Sequence, residues 1–172
     1  MFLKGFKEKS NKKYLNKLLS ERHANVNDSK IVSLGIIFNI DEVNNFEQFR
    51  KLADNIDVKP NRLKIIAFSE SEKDNVNTWD ACYNPKDFGW KGTVKNSELQ
   101  EFLNTEFDAL VSYYEDGVLE LKLITALSKA KFKIGILQTD ERLNDLIIKN
   151  PLKEFNSFKK EVHKYLTILN KI

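Results

Sequence analysis

Cysteine is nearly absent. Cys82 stands alone, so no disulfide can form within the chain, which suits a reducing compartment. Histidine is almost as scarce. His23 and His163 fall in different segments with no cysteine cluster near either, so the sequence offers no metal-ligand spacing, and no metal or cofactor is expected. The six glycines form neither G-x-G-x-x-G nor G-x-x-x-x-G-K-[ST], which argues against a dinucleotide fold or a P-loop, because both need small residues where backbone amides approach phosphate. No G-x-S-x-G elbow presents a nucleophile, and no catalytic residue is nominated. No run approaches the roughly 18–20 apolar residues that span a bilayer. The basic stretch Met1 to Lys9 is interrupted by lysines and followed by no apolar segment, so no secretory signal is visible and the expected location is the cytoplasm.

What is present describes a globular protein. The chain has 172 residues, 41% of them apolar and 31% charged, enough for one domain with a real core. Charge is unevenly placed. Residues 1–22 carry seven basic groups (Lys4, Lys7, Lys9, Lys12, Lys13, Lys17, Arg22) against Glu8 and Glu21, whereas the rest carries 21 basic and 23 acidic groups. All the positive excess therefore sits at one end, as in segments that touch nucleic acid, acidic proteins or anionic lipid. Gly5 and Ser10 weaken the helical pattern before residue 11, and Phe2 and Phe6 point away from the stripe of Tyr14, Leu15, Leu18 and Leu19. Residues 1–10 read as a basic arm, 11–22 as a docked helix, and 11–172 as a single domain.

Branched apolar runs alternate with amphipathic segments. Lys30–Asn39, Leu63–Phe68, Phe107–Tyr113 and Phe132–Leu137 read as buried strands, and Leu146–Lys149 as a short fifth. Helices are expected from Asp41, as cap, to about Ile56; from a Ser97/Gln100 capping box; over Val118–Ala130; and from Pro151, as a first-turn proline, through Leu169. This alternation predicts a three-layer α/β fold: a mostly parallel sheet of four or five strands, Rossmann-like or flavodoxin-like, with helices on both faces. Gly35 and Gly135 fall inside strands, where close backbone packing is the expected reason for them.

In such sheets ligands bind beyond the carboxyl ends of the strands. That rule nominates Asp41, Tyr113, Tyr114, Glu115, Asp116, Thr139 and Asp140 as pocket residues. Clustered carboxylates there can serve acid–base chemistry, but each aspartate also has the simpler task of capping a helix. The tyrosine pair can stack on a base or sugar, or can place one ring in the core and the other over the sheet edge.

The stretch Cys82–Gly92, "CYNPKDFGWKG", is the least ordinary run. Pro85 and Gly89 fix turns, while Phe88 and Trp90 are spaced to anchor a connection, with Lys86, Asp87 and Lys91 as a polar face for a partner. The alternation of Trp79, Ala81 and Tyr83 suggests an antiparallel excursion or an extra edge strand at 77–92. "NPKDFGWKG" (84–92) and "FDALVSYYEDGVLELKLITALSKAKFKIGI" (107–136), with the lysine-rich start and the C-terminal helix, resemble a domain-of-unknown-function family of small proteins from the Bacteroidota. That resemblance implies no activity, cofactor or catalytic residue. The 107–136 segment is also similar in architecture to one half of GT-B glycosyltransferases.

The leading expectation is a non-catalytic binding or adaptor module. Lys4, Lys7, Lys9, Lys12 and Lys13, with Lys86, Asp87, Trp90 and Lys91, would contact a macromolecular partner, protein or nucleic acid. The alternatives are a small-ligand binder or enzyme using the sheet's rim, and peripheral membrane association through the N-terminal arm.

Overall fold

A computed structural model describes residues 2–24, 27–71, 82–115, 118–136 and 139–172, without the side chain of Phe2. Among them six strands form one sheet: β1 (Leu34–Asn39), β2 (Leu63–Phe68), β3 (Cys82–Tyr83), β4 (Ala109–Tyr113), β5 (Phe132–Gly135) and β6 (Leu146–Ile147). They lie in the order β3-β2-β1-β4-β5-β6, and every pairing is parallel. The sheet therefore has one strand more than the upper expectation. The extra member is β3, whose two residues are too few to show a pattern in sequence. It does serve as the edge strand expected near 77–92, though it runs parallel to β2; residues 72–81 of that expectation lie outside the described residues.

Five helices cover the sheet among the described residues: α1 (Phe2–Glu21), α2 (Phe46–Asn55), α3 (Ser97–Asn104), α4 (Leu119–Leu127) and α5 (Phe155–Ile168). Strand side chains alternate between faces, and the two faces make separate cores. On one, Leu34, Ile36 and Phe38 of β1 and Val111 and Tyr113 of β4 meet α2 and α5. Aromatic rings dominate there: Phe38 lies 4.6 Å from Phe49, and Tyr113 lies 4.8 Å from Phe158. On the other, Ile37, Ile66 and Leu110 meet Leu15 and Leu19 of α1, Phe102 of α3 and Leu123 of α4. Gly35 and Gly135 are close-approach positions. A Cβ at Gly35 would stand 2.9 Å from the Phe107 ring, and one at Gly135 would collide with the Asn144 side chain.

Several element boundaries differ from the sequence reading. Helix α1 is continuous from Phe2, where the sequence divides the segment at residue 10. Its apolar direction rotates along its length, and that rotation hides the first turns. Asn45, not Asp41, caps α2, accepting from Gln48 N at 3.2 Å. Asn96, not Ser97, caps α3, accepting from Glu98 N at 2.9 Å and Leu99 N at 3.2 Å. Pro151 precedes α5, its carbonyl accepting from Glu154 N at 2.9 Å in a turn ahead of the helix. Among the described residues no helix is long and apolar enough to cross a membrane.

Candidate functional site

The unusual 84–92 stretch builds a small rigid platform. Asn84 Oδ1 accepts from Lys86 N at 2.9 Å, while Asn84 N donates to Asp87 Oδ2 at 2.9 Å, closing both ends of a single 3-10 turn. Phe88 and Val94 then pair antiparallel as a minimal hairpin. Lys91 and Gly92 at its tip have φ of 53° and 69°, and Thr93 N donates to Trp90 O at 3.0 Å. Two successive positive φ values make this the primed turn that suits the twist of paired strands.

Helix α1 sits on that hairpin. Asn11 is 1% exposed, in the middle of a lysine-rich segment. Its Nδ2 donates to Gly89 O at 3.1 Å and its Oδ1 accepts from Gly92 N at 2.9 Å. The Tyr14 ring covers Gly92 so closely that a Cβ there would overlap it. One turn earlier, Lys7 Nζ donates to Pro85 O at 3.3 Å. The two segments that the sequence nominates separately for partner contact are thereby one surface. Lys4, Lys12, Lys86, Trp90 and Lys91 are exposed around it and Lys7 is half-buried, whereas Lys9 and Lys13, also exposed, lie on the far side of α1. Leu3 and Phe6 are 74% and 61% exposed at its free end, unusual for large apolar side chains. Asp87 faces inward to Asn84 and Asn96. Lys12 pairs with Glu8 at 2.6 Å in full solvent, and the hydrogen bond to that ammonium holds the Glu8 carboxyl below its usual range.

The carboxyl rim is arranged differently. The strand order reverses between β1 and β4, which is where an open parallel sheet accepts a ligand. There, carboxylates tie the loops together. Asp41 accepts from Ser69 Oγ at 2.9 Å and Glu70 N at 2.8 Å, binding the β1 loop to the β2 loop. Glu42 Oε2 accepts from Glu115 N at 3.2 Å, and Glu115 Oε1 accepts from Leu152 N at 3.2 Å. Tyr113 donates to Leu152 O at 2.8 Å, and burial, aided by the Glu115 charge, pushes its phenol up to about 12. Tyr114 is buried on the opposite face with its hydroxyl 2.7 Å from Thr125 Oγ1; burial raises its pKa. Thr139 is exposed. Asp140 caps a 3-10 turn and is held below the usual carboxylate range by Arg142, whose Nη2 lies 2.7 Å away. Asp116 lies outside the described residues.

Lys133 was missed by the sequence reading. It stands within the apolar run of β5, 4% exposed, and its ammonium donates to Thr125 O at 2.6 Å and Ala126 O at 3.3 Å, two carbonyls at the end of α4. Burial, with the Arg22 cation, lowers its pKa to about 8 against the pull of Asp145. It borders a cleft of about 370 Å³ shared with Arg22, His23 and Lys129. The one signal was a lysine at a position whose strand neighbours are all apolar. A second cleft, of about 390 Å³, runs between α2 and α5 past Lys51, Lys153 and Lys159.

The fold is thus a parallel α/β sheet whose N-terminal helix is clamped by a hairpin. Residues 7–169 match the model of the Family of unknown function (DUF6913), and the chain belongs to that family. No curated protein and no solved structure matches the chain.

Proposed function

We propose that the chain is a non-catalytic cytoplasmic binding module that holds a macromolecular partner of acidic surface against α1 and the 88–94 hairpin. The observation that carries this reading is the double hydrogen bond of Asn11 to Gly89 and Gly92, because it joins two lysine-bearing segments 78 residues apart into one contact surface. A rigid basic surface needs no catalytic group. It offers an acidic partner a fixed array of charges whose attraction is screened by salt. A small-molecule pocket at the sheet's rim has less support, since Asp41, Glu42 and Glu115 already accept from neighbouring loops.

The test is binding of the full chain to heparin, duplex RNA, an acidic peptide and anionic vesicles, compared with a variant carrying Lys9→Glu, Lys12→Glu and Lys13→Glu. At least one of these should bind the native chain with an affinity that falls steeply as salt rises, and should release the variant. Equal behaviour of the two proteins with every probe would remove the reading.

A further inference from the structure

Helix α1 has two apolar directions. At about 100° per residue, Asn11, Leu15 and Leu19 fall on one side of its axis, and Phe6 falls about 180° away. The first three are buried against the domain, while Phe6 is exposed. Lys13 and Lys17 lie within about 20° of Phe6 on that wheel, and Lys9 and Leu3 flank it by about 60° on either side. All of these side chains are exposed. The outward face is therefore a convex ridge of apolar and cationic groups at the free end of a helix whose other half is clamped in place.

From this ridge we propose that the outward face of α1 docks on an anionic lipid bilayer. The inference rests on the reading above that an acidic surface binds α1, but places the contact on the outward face, about 180° from the face that Asn11 fixes to the hairpin. Charge complementarity selects an anionic surface, since Lys9, Lys13 and Lys17 face outward against one acidic group there, Glu21, which lies 3.9 Å from Lys17, while Glu8 pairs with Lys12. Repulsion among the same lysines opposes a second copy of the chain in that place. The apolar pair then selects among anionic surfaces. Phosphate backbones give a solvated leucine nothing to bury against, whereas the headgroup boundary of a bilayer takes up Leu3 and Phe6 while lysines on either side meet the lipid phosphates. The shape agrees, because a protruding ridge fits a flat, deformable surface, whereas a protein would have to supply an acid-rimmed groove.

The experiment is co-sedimentation of the full chain with vesicles of phosphatidylcholine alone and of phosphatidylcholine containing about 30% phosphatidylglycerol, at low salt and at about 0.5 M salt. Binding is expected with the anionic vesicles only, and should be lost at high salt. The Leu3→Ala/Phe6→Ala double variant should bind about tenfold more weakly, because little else on that face enters the boundary. Each of Lys13→Glu and Lys17→Glu should weaken binding by about fivefold or more. Substitutions at these exposed positions leave the core untouched, and helical content measured by circular dichroism checks that α1 persists. Failure of the native chain to sediment with anionic vesicles overturns the proposal, as does undiminished binding by the Leu3→Ala/Phe6→Ala variant. If heparin or RNA is bound and vesicles are not, the bilayer is excluded while the binding-module reading stands.

Discussion

Asn11 and Gly92 are bound side chain to backbone across 81 residues, the Asn11 Oδ1 accepting from Gly92 N at 2.9 Å. The same amide donates to Gly89 O, so one buried side chain satisfies both strands of the hairpin. Replacing it with Ala leaves a buried N–H and a buried carbonyl without partners. Asn11→Ala should cost about 1–3 kcal/mol in urea unfolding, with loss of amide-exchange protection concentrated in α1. An unchanged urea midpoint would show that the clamp contributes nothing to stability.

Gly92 fills a position that only glycine suits, for two separate reasons. Its φ of 69° disfavours any side chain, and the Tyr14 ring occupies the space a Cβ would take. Gly92→Ala should therefore destabilise by more than the roughly 1 kcal/mol of the backbone preference alone. Tyr14→Ala clears the space but leaves the φ as it is. The double variant should be less damaged than the sum of the singles by about 1 kcal/mol, the mark of a shared contact. Strict additivity in thermal or urea unfolding would mean that the ring and the glycine do not press on each other.

The parts of the fold that were legible are those where burial on both faces leaves no room for polar residues. Leu34–Asn39, buried at every position, sits inside the expected run for that reason; Leu63–Phe68 was readable to both ends from its branched apolar residues, although the Lys64 side chain within it is 40% exposed. Caps were less legible, because asparagine, aspartate and serine within a few residues of a helix start are locally equivalent; only the fold decides that Asp41 turns to Ser69 while Asn45 caps α2. Strand β3 was legible only as an antiparallel excursion or an edge strand somewhere within 77–92, because two residues fix neither bounds nor direction. The candidate surface was half legible. Lysine content and the odd 84–92 run named its two pieces, but nothing local to either says that Asn11, one polar residue among several, is buried between Gly89 and Gly92. Lys133 illustrates the same limit, since its acceptors are main-chain carbonyls, which leave no trace in sequence.

Lys133 gives the stability a slope in mild alkali. Folded, it releases its proton near pH 8; unfolded, near 10.5. Between those values the unfolded chain holds more protons, so folding stability should rise with pH, by up to about 3 kcal/mol over the whole interval. Measurement belongs between about pH 7 and 8.5, because burial raises the Cys82 thiol from 9.0 and Tyr83 and Tyr113 to about 12, and these groups oppose the slope as pH passes their unfolded values near 9 and 10. Lys133→Met should flatten the rise, though with a loss at pH 7 from the two carbonyls left unpaired at the end of α4. A native chain whose urea midpoint does not move across that window would refute the low folded pKa.

At the amino end of the sheet Asp108 should act at the opposite extreme of pH. Its Oδ2 accepts from Val32 N at 3.2 Å, Ser33 N at 3.0 Å and Ser33 Oγ at 2.8 Å, and its Oδ1 meets Lys131 at 2.9 Å. Burial opposes the charge, but the Lys131 ammonium, the Ser33 hydroxyl and the Val32 amide together hold the carboxyl below its ordinary value. A depressed folded pKa contributes stability above the unfolded value of 3.8, and that contribution is lost as pH falls through the folded value. Asp108→Asn keeps the shape and removes the charge. It should cost about 1–3 kcal/mol at pH 7, where it discards charge-assisted bonds to the entries of β1 and β5. As pH falls through the folded value the native carboxyl takes up its proton, so the gap between the two proteins should shrink towards the lowest pH at which both stay folded. Urea unfolding at both pH values decides the matter: an equal gap at both would assign the effect to packing and leave the charge with no role.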